Sequence, residues 1–151
     1  VSQLEPENSR GGLPWIERPQ GRLLMQLPAL AENVSLVRDT VKREAEAMGM
    51  GPREVDDLRT VVSEACNNAV LHAYPAAAKQ RPLEVELRRQ GDALEVVVRD
   101  RGRGMHPRGE EGPDSLRLGL SLIGSLASHF VLRSGHEQGT ELAVTIPLAT
   151  A

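Results

Sequence analysis

Apolar residues recur at steps of three and four over Ala29–Met48 and again over Pro52–Ala73, then at steps of two from Leu83 onward. That change of period most constrains the fold. Leu30, Val34, Val37, Val41, Ala45 and Met48 trace one face of an expected first helix, which Gly49 stops. Pro52 suits the first turn of a second helix, and Val55, Leu58, Val61, Val62, Ala65, Cys66, Ala69 and Val70 carry its stripe. Leu83–Leu87 and Ala93–Arg99 alternate around a Gly91-Asp92 turn, which predicts a hairpin. Gly21–Leu27 reads as a strand ahead of the helices and Leu116–Ala127 as a third, apolar helix. His129–Arg133 and Thr140–Ile146 read as strands joined by a turn from Gly135 to Gly139. Helices grouped beside strands, in place of regular βαβ alternation, predict the α+β class. The expected architecture is a two-layer α/β sandwich, a mostly antiparallel sheet with about three helices on one face.

At 151 residues the chain has the size of one domain. Residues 1–20, rich in Pro, Gly and charge, read as a flexible N-terminal tail, and 21–151 as the folded domain. A formal net charge of −3 without a long run of Lys or Arg argues against a nucleic-acid partner. Aromatic residues are 2% of the chain, namely Trp15, Tyr74 and Phe130, so no base-stacking platform is available and the core must be aliphatic. Cys66 stands alone and cannot form an intramolecular disulfide. No signal-peptide pattern and no apolar run of about 18 residues occurs, so the expectation is a cytoplasmic protein without a membrane partner.

The chemistry concentrates in two places. Glu64 and Asn68 lie four residues apart on the expected second helix, so a carboxylate and an amide project from one face, where a metal or phosphate fits. Asp100 ends the second strand of the hairpin and is followed by Gly102 and Gly104, which permit a turn with φ > 0 and close approach of backbone to a ligand. Residues 101–115 are too irregular for an element and read as a mobile lid. Gly119, at the start of the third helix, can bring exposed N–H groups to a phosphate. Cys66 lies on the apolar side and reads as inert core, Asn67 as surface polarity, and His72 as a structural residue in preference to a metal ligand.

Taken in order, Ser63-Glu-Ala-Cys-Asn-Asn-Ala-Val-Leu-His-Ala-Tyr74, then Asp100-Arg-Gly-Arg-Gly104, then Leu118-Gly-Leu-Ser-Leu-Ile123, then Gly139-Thr-Glu-Leu-Ala-Val-Thr-Ile-Pro147 form a recognisable series. The series resembles the GHKL ATPase superfamily with its Bergerat fold, and within it the stand-alone bacterial anti-sigma-factor serine/threonine kinases. The likeness runs from about Leu23 to Leu148. It implies ATP and Mg²⁺, with Glu64 as general base, Asn68 as metal ligand through its amide oxygen, and Asp100 as acceptor of the adenine amino hydrogen. It further implies that Gly102 and Gly104 let the base and lid close in, that Gly119 and Leu120 line the nucleotide, and that Thr140 supports the adenine contact. Thr140 reads nearly as well as an ordinary strand residue. The family often has Gly-x-Gly where this chain has Arg117-Leu118-Gly119, so Arg117 either pairs with phosphate or stiffens the lid and weakens ATP retention. The implied function is an anti-sigma regulator with protein-serine/threonine kinase activity. Its partners would be a sigma factor and an anti-sigma-factor antagonist, and it would form a homodimer. The alternative is a nucleotide-gated binding protein without kinase turnover.

Overall fold

A computed structural model describes residues 15–18, 21–102, 122–135 and 139–148. Among these residues six strands form one antiparallel sheet: β1 (Trp15–Glu17), β2 (Arg22–Pro28), β3 (Pro82–Gln90), β4 (Ala93–Asp100), β5 (His129–Gly135) and β6 (Gly139–Pro147), in the order β1-β2-β3-β4-β6-β5. Two long helices, α1 (Ala31–Ala47) and α2 (Pro52–Asn68), pack against each other, and α2 packs on β4 and β6. The class is therefore α+β, as the change of period predicts. β1 pairs Trp15 with Gln26 and Glu17 with Leu24, within the stretch expected to be a tail. Three residues are too few for alternation to register, and pairing to the edge of β2 supplies the hydrogen bonds instead. Of the expected helix Leu116–Ala127, residues 122–126 are helical and 116–121 lie outside the described residues.

Local chemistry explains where the long helices begin and end. Gly49 takes φ 93°, a left-handed conformation that glycine adopts at no steric cost, and the Met50 N–H returns to the Ala45 carbonyl at 3.0 Å. Pro52 occupies the first turn of α2, where its missing N–H costs nothing, and the preceding Gly51 N–H bonds the Leu148 carbonyl at 3.0 Å. That bond ties the start of α2 to the end of β6.

The stripes face the sheet. Val37, Val41, Leu58, Val61, Val62 and Cys66 are fully buried against Leu23, Met25, Leu83, Val85, Leu87 and Leu94. The alternate residues of the strands point to the other face, which is laced with ions. Arg99 on β4 donates to Glu84 at 3.0 Å and Glu86 at 3.1 Å on β3, and to Glu141 at 2.9 Å on β6. Arg22 on β2 reaches the second oxygen of Glu86 at 3.1 Å, so four adjacent strands are cross-linked by charge. None of the described helices is long and apolar enough to cross a membrane.

Candidate functional site

Glu64 and Asn68 stand in the last turns of α2, beside Ala65 and Cys66, whose burial turns the helix so that the two polar residues sit half-buried at the margin of the packed stripe. The four-residue spacing holds, since α2 is α-helical through Asn68. Beyond it the helix widens into a π-helical segment, Ala69–Ala73. The expected second helix thus changes hydrogen-bonding pattern before Ala73, and His72 lies in the widened turn, half-buried. Single π turns recur at functional sites.

Asp100, Gly102 and Thr140 come together at one end of the sheet. Asp100 closes β4 and lies opposite Thr140 of β6 and Leu83 of β3. Its Oδ1 accepts the Gly102 N–H at 2.9 Å, a short loop that holds the carboxylate against its own backbone. Burial pushes the Asp100 carboxyl above the usual range, and hydrogen bonds from the Gly102 and Thr140 backbones act in the opposite direction by favouring the charged form.

Gly102 is required for a reason other than the one expected. Its φ is not positive; instead a Cβ there would fall 2.0 Å from the Ala73 carbonyl oxygen and 2.6 Å from its carbon. The close approach is to the end of the π segment, and it fastens the strand end carrying Asp100 to the helix carrying Glu64 and Asn68. Gly139 does need a positive φ, 85°, and a Cβ on it would meet the Asp100 carbonyl at 2.2 Å. Sequence reasoning assigned no role to Tyr74, whose hydroxyl lies between the Pro82 carbonyl at 2.5 Å and the Arg101 amide at 2.8 Å. Its signal was the one tyrosine of a chain with three aromatic residues, directly before Pro75. Gly104, Arg117, Gly119 and Leu120 lie outside the described residues.

Among the described residues, no three His, Cys, Asp or Glu side chains cluster as a metal cage. A lone amide such as Asn68 suits a hard cation that keeps waters and ligand oxygens as its other partners, which is how Mg²⁺ binds beside phosphates. A cavity of about 230 Å³ lies at the same sheet end, between Asp100, Gly139 and Thr140 on one side and Glu84, Arg99 and Glu141 on the other. It does not include Glu64 or Asn68, because Glu84, Arg99 and Glu141 point to the ion-laced face.

A profile of the histidine kinase-like ATPase domain matches residues 27–146. The serine-protein kinase RsbW of Bacillus licheniformis is 38% identical over 87 residues, 58% of this chain and 54% of that protein. Its namesake from Bacillus cereus is 29% identical over 137 residues, covering 82% of this chain and 83% of the relative. The chain thus spans about half the length of the Bacillus licheniformis relative and most of the Bacillus cereus one. A solved structure of RsbU and RsbW domains from Mycobacterium tuberculosis superposes with a TM-score of 0.69 at 23% identity, over 89% of this chain and 34% of that one. The histidine kinase domain of a blue-light activated histidine kinase from Erythrobacter litoralis gives a TM-score of 0.55 at 19% identity, over 81% of this chain and 62% of that one. At these identities both structures share the fold.

Proposed function

The chain belongs to the histidine kinase-like ATPase domain family, and from that premise we propose that it binds ATP and phosphorylates a serine or threonine of a small antagonist protein. In the same reading it sequesters a sigma factor when it is not engaged with that antagonist, and it acts as a homodimer. The observation that carries the proposal is the contact of Gly102 on Ala73, which joins a helix bearing an acid and an amide to a strand end bearing a second acid. The RsbW relatives, named serine-protein kinases, support the kinase assignment.

Each side chain then has a task suited to its surroundings. Asp100 in its carboxylate form is an acceptor only and accepts an N–H of the adenine amino group; guanine presents a carbonyl oxygen at that edge and is repelled. Asn68 would hold Mg²⁺ through its amide oxygen, a cation that would supply charge neutralisation at the phosphates. Glu64 accepts the proton of the incoming hydroxyl as the oxygen bonds to the terminal phosphorus and the bond to the bridging oxygen of ADP breaks. Little else is needed, because phosphoryl transfer depends mostly on positioning and charge.

With radiolabelled ATP and a purified antagonist-type protein as acceptor, label should appear on an acceptor serine or threonine. It should fall about 100-fold or more in Glu64→Gln while ATP binding persists. Label on a histidine of this chain would contradict the serine/threonine assignment. ATP binding without any transfer would favour the nucleotide-gated binding protein, a reading motivated by Arg117 where the family often has glycine.

A further inference from the structure

Tyr74 follows the π-helical segment directly, and its hydroxyl oxygen is shared by two backbone groups distant in sequence. The proton arrangement has one solution. The Pro82 carbonyl can only accept, so the hydroxyl donates to it at 2.5 Å; the Arg101 amide can only donate, so the same oxygen accepts from it at 2.8 Å. Burial pushes the phenol up to about 12, and the nearby Asp100 charge adds to the rise, so the hydroxyl keeps its proton across the neutral range. One oxygen therefore pins the end of the α2 extension, the start of β3 and the end of β4.

Arg101 is the residue between Asp100 and Gly102, and the Gly102 N–H holds the Asp100 carboxylate at 2.9 Å. Holding the Arg101 amide restrains the peptide that links carboxylate and Gly102, and Ala73, next to Tyr74, lies so near Gly102 that no Cβ fits there. We propose that Tyr74 is a positioning residue that sets the direction of the Asp100 carboxylate and, through it, the preference of the site for adenine over guanine. The proposal rests on the reading of Asp100 as the purine acceptor given above.

Tyr74→Phe keeps the ring and removes only the hydroxyl. The full chain carrying it is titrated with Mg-ATP and Mg-GTP beside the unaltered chain and Asp100→Asn, and exchange of the Arg101 amide is followed by NMR. The expected result is ATP affinity lower by about tenfold, GTP affinity changed by less than about twofold, and an ATP/GTP ratio that falls toward that of Asp100→Asn. The Arg101 amide exchanges faster in the variant even without nucleotide. A variant with the ATP/GTP ratio of the unaltered chain overturns the role of Tyr74 and leaves the purine site standing. Equal loss of ATP and GTP also overturns it, because that marks support of the fold alone. Failure of the unaltered chain to bind either nucleotide removes the purine-site reading itself, and the proposal with it.

Discussion

A Cβ on Gly102 would overlap the Ala73 carbonyl, and neither partner can yield, because both are backbone. Gly102→Ala should therefore cost about 1–3 kcal/mol of stability and weaken ATP binding, since relief requires the strand end to part from the α2 extension. Gly91 is the control: φ is 61° with nothing within 4 Å of an added Cβ, so Gly91→Ala should meet only left-handed strain, about 1–2 kcal/mol, with ATP affinity untouched. Denaturant titration and calorimetry on the two variants distinguish a joint in the site from a strained turn. At this scale the candidate residues were partly legible. The shared face of Glu64 and Asn68 was legible because helical spacing alone sets it. Gly102 could be found as a glycine but not for its reason, because the group it must clear is 29 positions away in sequence, at Ala73. The partners of the Tyr74 hydroxyl were equally out of reach, since Arg101 lies 27 residues on and is brought near only by folding.

Periodicity revealed the elements that repeat long enough to show a period. α1 and α2 run 17 residues each and β3 and β4 run 9 and 8, so their buried stripes were plain. β1 has 3 residues and no period, and the π segment differs from an α-helix in hydrogen bonding while its residues keep the same apolar character. The ion lattice of the outer face was also invisible, because strand register decides which charges meet. Register places Glu84 beside Arg99 and Arg99 beside Glu141, so one guanidinium spans three strands. Glu86 is 4% exposed and shares its oxygens between Arg99 and Arg22. Arg99→Met should strip Glu86 of one partner and cost about 1–3 kcal/mol, less than for a fully buried pair because Arg99 is partly solvated. Adding Glu86→Leu should recover much of that loss in denaturant titrations. If the single variant is as stable as the unaltered chain, the lattice does not hold the strands together.

For the molecule as a whole, two weak acids among the described residues, a thiol and a phenol, are pushed far above their ordinary values. Burial pushes the Cys66 thiol from 9.0 up to about 12, and burial with the Asp100 charge raises the Tyr74 phenol from 10.0 to about 12. Between those values the unfolded chain has released protons that the folded chain retains, so stability falls as pH rises. The contribution of these two groups should thus be fully present below about pH 9 and lost progressively toward about pH 12, while the native thiol resists alkylating reagents at neutral pH. Thermal midpoints across that range, compared with Cys66→Ala, check the sign. The larger claim is that the two ends joined by Ala73 and Gly102 form one nucleotide site. It is tested most directly by calorimetric titration with ATP, with and without Mg²⁺, of the unaltered chain beside Asn68→Ala and Asp100→Asn. The account predicts binding that requires Mg²⁺, is lost in Asn68→Ala, and loses its preference for ATP over GTP in Asp100→Asn. An unaltered chain that takes up no ATP, or an Asn68→Ala chain that binds Mg-ATP equally well, would contradict it.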